Sequence, residues 1–419
     1  MGIALYNTII YLYKILLNIV ALWHPKAKKF VKGRKGLLTH IEDTLAQEGS
    51  PRVWFHCASL GEFEQARPVL EAFKRQYPTY VVVLTFFSPS GYEVIKKKNL
   101  VDYTFYLPLD TAKNAQRLLT IVRPQMIFFV KYEFWYHYLT EAQRRHIPLL
   151  LFSAIFRSSQ PFFQPYGQLH RTMLQCFTHI FVQNEHSRQL LAKINIHQVS
   201  VSGDTRFDRV ATIEQQGKSF PLVETFKNQQ PLLIAGSTWE EDLKVLLPLI
   251  QQARLPFKYV IAPHEIHKKK IIQLKNQCNN KAIRFSEIGE NTNLATYDVL
   301  LIDNVGMLAT LYRYGDFAYV GGGFGKGLHN ILEPATFGMP IFFGNKNYRK
   351  FQEAVELTTQ KVSFPIEDTK ALATQLEALY HHKKMYQQVV EHCKAYVKKQ
   401  IGSTQKIMQF VAQLFTTPK

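Results

Sequence analysis

Two doubly wound α/β domains behind an apolar N-terminal helix are what this sequence predicts, on three observations. The chain has 419 residues, more than one hydrophobic core usually serves. Short apolar runs without strict alternation recur between amphipathic segments, the pattern of parallel strands covered by helices on both faces. The rhythm then stops at a polar stretch and starts again.

The first series is Val53 to Ala58, Tyr80 to Phe86, Met126 to Val130, Leu149 to Phe152 and His179 to Val182. The second is Leu232 to Ala235, Tyr259 to Ala262, Val299 to Ile302, Phe317 to Val320 and Pro340 to Phe343. Between them Arg206 to Lys218, with Glu214, Gln215, Gln216 and Gly217, reads as an interdomain linker. The expected organisation is a helix over residues 1–24, a first Rossmann-like domain over 25–205 and a second over 219–419. The final helix is expected to return to the first domain.

From Ile3 to Trp23 the chain is mostly apolar and near the ~20 residues that cross a bilayer, with Lys14 and Asn18 inside the run. Positive charge follows the run, at Lys26, Lys28, Lys29, Lys32, Arg34 and Lys35, whereas a cleavable signal peptide carries it in front. The segment therefore reads as a retained anchor with the body on the cytoplasmic side. Spanning and surface-lying helices both fit.

With 46% hydrophobic and 20% charged residues the chain is globular rather than disordered. Its 51 Lys and Arg against 32 Asp and Glu, a net +19, favour an anionic partner. Cys57, Cys176, Cys278 and Cys393 are far apart, which argues against a disulfide framework or a zinc ribbon.

Ligands of open α/β sheets bind beyond the carboxyl ends of strands. The loop Ala58-Ser59-Leu60-Gly61-Glu62 leads into a helix, where Glu62 is either a general base with Gly61 leaving room for substrate, or the glutamate of an S-x-x-E capping box with Ser59. Glu133, after Met126 to Val130, either grips sugar hydroxyls or pairs with Lys131 or Arg157. Arg157 offers a bidentate hold on a carboxylate or phosphate, or is a surface arginine.

In the second half, Gly236-Ser237-Thr238 suits phosphate, and so does the loop Gly321-Gly322-Gly323-Phe324-Gly325-Lys326-Gly327, ahead of a helix expected to start near Asn330 with Glu333 one turn in. Ordinary βα turns use the same residues. The glycines match neither a Walker A loop nor G-x-G-x-x-G, and His264 and His267 do not make H-E-x-x-H.

The ordered set S-L-G-E (59–62), Y-E-F-W, S-A-I-F-R, G-D-T-R-F-D, G-S-T-W-E, A-P-H-E, D-N-V-G and G-G-G-F-G-K-G-L-H-N-I-L-E-P-A closely resembles the transferases of 3-deoxy-D-manno-octulosonic acid (Kdo), from the N-terminal helix to about Ala354. The resemblance implies a GT-B fold, its two Rossmann-like domains facing a cleft. It implies inverting transfer of Kdo from the substrate CMP-Kdo to the lipid A precursor, lipid IVA, in lipopolysaccharide core biosynthesis, without metal or other cofactor. Glu62 becomes the base, with Ser59 and Gly61 beside it. Gly236, Ser237, Thr238, Asn330 and Glu333 match the CMP side, to which Pro263, His264, Gly325 and Gly327 are added, and Glu133 and Arg157 match the donor-sugar or acceptor side. Two segments depart from the family pattern: histidines stand first after Pro263, and Gly344 to Lys350 is more basic than usual.

The implied location is the inner, cytoplasmic membrane with the domains on the cytoplasmic side, an anionic membrane surface as partner and no nucleic acid. The rival readings are another GT-B enzyme using a UDP-sugar, transferase or epimerase, and a membrane-surface protein that binds anionic ligands. The second expects basic residues interleaved with aromatics along a groove, whereas Phe128, Phe129, Phe342 and Phe343 fall in strand-like runs.

Overall fold

The computed structural model describes residues 2–98, 100–215, 219–253 and 255–416. The chain forms two compact units, Met1–Arg209 with Gly402–Lys419, and Val210–Ile401.

Among the described residues the first unit holds seven parallel strands: β1 (Arg52–Cys57), β2 (Val81–Phe86), β3 (Tyr103–Tyr106), β4 (Pro124–Val130), β5 (Leu149–Ala154), β6 (His179–Val182) and β7 (Val199–Val201), in the order β3-β2-β1-β4-β5-β6-β7. Both faces of β1 are buried, as a central parallel strand requires. Val53, Phe55 and Cys57 pack with Phe73 and Phe128 on one face, and Trp54 packs with Phe129 and Tyr138 on the other. The first face is completed by Ile407, Met408 and Val411 of the last helix, Ser403–Thr416. The Asp208 carboxylate accepts the Gly402 and Thr404 N–H groups at 2.7 and 2.6 Å, fixing that helix at its start.

The second unit holds β8 (Leu232–Thr238), β9 (Lys258–Pro263), β10 (Ala282–Arg284), β11 (Val299–Leu301), β12 (Phe317–Val320), β13 (Ile341–Gly344) and β14 (Ser363–Ile366), again all parallel, in the order β10-β11-β9-β8-β12-β13-β14.

Three local expectations need correction. Residues from Arg206, read as linker, continue a helix, Thr205–Gln215, while 216–218 lie outside the described residues. Its sequence is polar but has Phe207, Val210 and Ala211 on a buried side, so composition hid an amphipathic helix. Strand β8 runs on through Gly236-Ser237-Thr238 rather than stopping at Ala235, with Ser237 at φ +53° and a register shift beside it. The helix expected near Asn330 is Leu332–Thr336 only.

The N-terminal helix, Gly2–Val20, is long and apolar enough to cross a membrane, and 6% of its most apolar window is buried. One side lies on the first unit: Gly2 meets Leu169, the Tyr6 hydroxyl donates to Asp110, and Tyr13 stacks on Phe87.

Candidate active site

In each sheet the strand order reverses beside its first strand, between β1 and β4 and between β8 and β12, and such a switch point opens a crevice at the strands' carboxyl ends. The residues singled out in the sequence fall largely at those two places.

In the first unit, β1 delivers Ser59, Gly61 and Glu62 to the start of the 17-residue helix Leu60–Gln76. Ser59 makes no side-chain cap on that helix. It donates its hydroxyl to the Glu62 carboxylate instead, so the capping box is not formed and Glu62 is oriented, half-buried, in the first turn. A Cβ on Gly61 would meet only the Ser59 hydroxyl, 3.7 Å away, which leaves the space in front of Glu62 clear.

The helix is braced one turn on by the Gly203-Asp204-Thr205-Arg206 segment. The Thr205 hydroxyl donates to the Gln65 carbonyl at 2.6 Å, and Gln65 Nε2 donates to Asp204 at 3.1 Å. Burial pushes the Asp204 carboxyl up, but Arg206 and the N–H donors around it outweigh burial and hold it below its usual value.

Glu133, past β4, is buried and belongs to a hydrogen-bonded chain across the sheet end. The sequence offered Lys131 or Arg157 as ion-pair partners. Its acceptor oxygen instead takes His56 Nε2 at 2.8 Å and the Trp135 indole N–H at 2.7 Å. His56 Nδ1 lies 2.9 Å from the Thr85 hydroxyl, which in turn accepts the Trp54 indole at 2.7 Å. One proton assignment satisfies every group: Trp54 donates to Thr85, Thr85 to His56 Nδ1, and His56 Nε2 to Glu133. Arg157 is exposed and stands beside Tyr132, whose hydroxyl is pushed up by burial and pulled back by that guanidinium.

Glu62 and Glu133 share one neighbourhood. The Cys57 thiol between them is raised well above its usual value, by burial first and then by both carboxylates. Replacing Glu133 by alanine strands the buried His56 N–H and the partly buried Trp135 indole N–H, and we expect a loss of about 2–5 kcal/mol on denaturant unfolding. Glu133→Gln, which keeps an acceptor, should lose less than half of that.

In the second unit, the glycine loop lies directly on the end of β8. A Cβ on Gly321 would come within 2.2 Å of the Ser237 carbonyl oxygen, and one on Gly322 (φ +91°) within 2.2 Å of the Gly327 oxygen. Asp242 pins this approach, accepting the Gly322 N–H at 2.9 Å, the Trp239 N–H at 2.8 Å and the Tyr319 hydroxyl at 2.8 Å. The Thr238 hydroxyl oxygen is buried and has no hydrogen-bond partner among the described residues. Such a group is costly unless something completes it. Gly236 passes under the Tyr312 hydroxyl, where a Cβ would sit 2.1 Å away. Asn330 donates to Glu333 at 3.1 Å and accepts the Leu332 N–H at 3.2 Å, so the two side chains hold each other.

Pro263 ends β9, and the His264 ring stacks across both Trp239 and His329, 4.4 Å from each, while those two rings lie side by side with centroids 6.3 Å apart. Lys326 sits 3.8 Å over the Trp239 ring, which places its ammonium among these rings. Gly325 and Gly327 flank Lys326, Gly327 at φ +121°. His329 is depressed to about 4, by burial first and then by His264. Its Nε2 accepts the Trp239 indole at 3.0 Å, as a neutral ring does. An unfolded histidine takes its proton near 6.5, so stability from this depressed group is present above that pH and lost as pH falls from about 6.5 towards 4. His329→Gln should flatten the decline in melting temperature over that window relative to wild type.

Sequence reasoning missed His56, Thr85 and Asp242. His56 and Thr85 sit inside strand runs, where a polar residue between apolar ones looks incidental. Asp242, in a helix's first turn, reads as ordinary dipole compensation. Among the described residues no group of three or more His, Cys, Asp or Glu side chains is placed to hold a metal ion.

Residues 30–209 match the family described as 3-deoxy-D-manno-octulosonic-acid transferase (kdotransferase). A 3-deoxy-D-manno-octulosonic acid transferase of Aquifex aeolicus is 26% identical over 337 residues, 79% of this chain and 87% of its own. One of Chlamydia pneumoniae is 25% identical over 407 residues, 94% of this chain and 89% of its own. Among solved structures, the UDP-GlcNAc 2-epimerase of Neisseria meningitidis bound to UDP-GlcNAc has a TM-score of 0.61 at 15% identity, covering 87% of this chain and 100% of that one. MurG of Acinetobacter baumannii has a TM-score of 0.56 at 12% identity, covering 87% and 99%. At these identities the structures speak to the fold alone, two Rossmann-like domains of the GT-B type.

Proposed function

Since the chain belongs to the 3-deoxy-D-manno-octulosonic acid (Kdo) transferase family and is a glycosyltransferase, we propose that it transfers Kdo from CMP-Kdo to a hydroxyl of the lipid A precursor, lipid IVA, with inversion, in lipopolysaccharide core biosynthesis. The observation that carries this reading is Glu62, oriented by the Ser59 hydroxyl at a helix start instead of being used as a cap.

In the reaction, the Glu62 carboxylate takes the proton of the acceptor hydroxyl as its oxygen attacks the anomeric carbon of Kdo. The bond from that carbon to the CMP phosphate oxygen breaks, and CMP leaves with the electron pair. Attack from the face opposite the leaving group inverts the centre. The developing charge on CMP falls to the second unit. There the backbone of Gly325 and Gly327 and the end of β8 at Gly236, Ser237 and Thr238 supply donors, and the unpartnered Thr238 hydroxyl gains a phosphate oxygen or ribose partner. Asn330 and Glu333 take the ribose side, and Pro263 and His264 line the nucleotide. Glu133 and Arg157 are assigned to the sugar substrates. Positive charge and helix N-termini do the work of a metal, so the reaction needs no metal and no other cofactor. The enzyme works at the inner membrane, with both domains on the cytoplasmic side where nucleotide sugars are found.

The test is transfer of labelled Kdo, from CMP-Kdo generated in the assay, to tetraacyl lipid A precursor. Labelled, Kdo-bearing lipid is the expected product. No transfer, together with turnover of a UDP-sugar, would overturn the reading.

A further inference from the structure

The N-terminal helix has three sides with three environments. Leu5, Ile9, Leu12, Leu16 and Ile19 form an exposed apolar stripe, each 48–62% accessible. A second side, with Tyr6, Ile10 and Tyr13, about 100° round the helix from the stripe, lies on the first unit. That contact runs from Gly2, against Leu169, to Tyr13, stacked on Phe87 and edge-on to Phe30. A helix held along a folded domain over that length does not cross a bilayer. It presents one stripe to it, as interfacial helices do.

Asn7 and Lys14, seven residues apart and therefore on one side of the helix, line a cavity of about 950 Å³ between this helix and the body of the first unit. Its far wall carries Arg34, Lys113, Asn114 and Arg117. The starts of two helices, Leu37–Leu45 and Ala112–Val122, open onto it as well, and at the first of them Gly36 provides no side-chain cap.

The cavity is lined by four cationic side chains, Lys14, Arg34, Lys113 and Arg117, and by Asp110. Among the described residues no carboxylate forms an ion pair with Lys14, Arg34 or Lys113, and only Arg117 has one, Glu42 at 2.8 Å. Arg34 is largely buried, lies 3.5 Å over the Phe30 ring, and among the described residues donates only to the carbonyls of Leu107, Phe30 and Phe87. Burial holds it down to about 10. The one carboxylate in the wall, Asp110, is taken up by the Tyr6 hydroxyl and the His137 and Tyr138 N–H groups. Cations without counter-ions around a cavity, beside an apolar stripe, match a ligand with a phosphate at one end and hydrocarbon at the other.

We propose that this cavity holds the phosphate headgroup of a membrane lipid while the N-terminal helix lies in the plane of the interface. Lys14, the one charge in the apolar run, is thereby directed to the headgroup rather than to hydrocarbon. The proposal rests on membrane attachment and not on the donor, so it stands or falls separately from the transfer reaction.

The test uses the full chain in zwitterionic detergent, with no nucleotide sugar, and calorimetric titration of three probes: dihexanoyl phosphatidic acid, dihexanoyl phosphatidylcholine and inorganic phosphate. Phosphatidic acid is expected to bind, and to bind at least tenfold more tightly than either of the others. Lys14→Gln with Lys113→Gln, both exposed side chains, should weaken it by about 25-fold, near fivefold for each charge. Lys26→Gln with Lys28→Gln, outside the cavity, should leave the affinity unchanged. Equal affinity for the phosphatidylcholine would reduce the site to an apolar surface, and equal affinity for inorganic phosphate would make the occupant a free ion. Either result, or undiminished binding in the Lys14/Lys113 variant, overturns the proposal.

Discussion

Glu62→Gln is expected to cut the rate of Kdo transfer at least ~100-fold while leaving CMP affinity unchanged. The size is that of general-base catalysis, in which each decade of rate corresponds to about 1.4 kcal/mol of barrier. The amide remains a hydrogen-bond acceptor for Ser59, so the helix start should stay in place. The stability terms lost are the attraction of a charge to the helix start, about 0.3–1 kcal/mol, and part of the Ser59 hydrogen bond, which exchanges a carboxylate acceptor for an amide. Affinity for CMP should be kept because the glycine bed and the Thr238 hydroxyl lie in the other unit. Single-turnover transfer and CMP titration on the same preparation check both halves. Full activity in the variant would leave Glu62 a support for its helix and move the base elsewhere, with Glu133 next in line.

Gly321→Ala should cost about 2–4 kcal/mol of stability and abolish measurable CMP binding, whereas Gly325→Ala should leave the melting temperature within about 1 °C. The difference lies in what a methyl group would meet. At Gly321 it runs into the backbone of Ser237 and Thr238, at 2.2 and 2.7 Å, and strand atoms cannot step aside. At Gly325 the nearest atom is the Glu241 carboxyl carbon, 3.8 Å away, so the fold makes no demand for glycine there. If nucleotide phosphate approaches that backbone closely, Gly325→Ala loses CMP affinity several-fold without losing stability. Thermal unfolding and calorimetry on the two variants separate a glycine kept for the fold from one kept for the ligand. Undiminished CMP affinity in Gly325→Ala would remove Gly325 from the nucleotide side.

The strands legible in the sequence and those that were not divide along one physical line. Ten apolar runs correspond to strands inside the two sheets. The four strands without such a run, β3, β7, β10 and β14, are the edges of the two sheets. An edge strand is short and open to solvent on one side, as Val199–Val201 is, with no fully buried residue, and nothing forces an apolar run on it. The candidate residues lay at carboxyl ends of strands, where parallel sheets put their ligands, and the loops after β1, β4, β8 and β12 could be picked out on that ground alone. Partners were another matter. The partner of Glu133 is a histidine 77 positions away, and the stack of Trp239, His264 and His329 assembles three separate loops. Such pairings depend on strand order, which a linear pattern does not contain. The capping box at Ser59 failed for a local reason: the serine spends its hydroxyl proton on the glutamate and caps nothing.

The sheet of the first unit is sealed by Ile407, Met408 and Val411, which the ribosome delivers only after Val210–Ile401 has been made. At about 5–20 residues per second that interval is about 10–40 s. For that time the nascent first unit keeps Phe55, Phe73 and Phe128 on a face still missing a helix, while the second unit emerges with all its strands contiguous and free to fold. Vectorial synthesis thus reverses the order of the chain: the part translated first matures last, and the unsealed aromatic face is the surface that nascent-chain chaperones have to shelter.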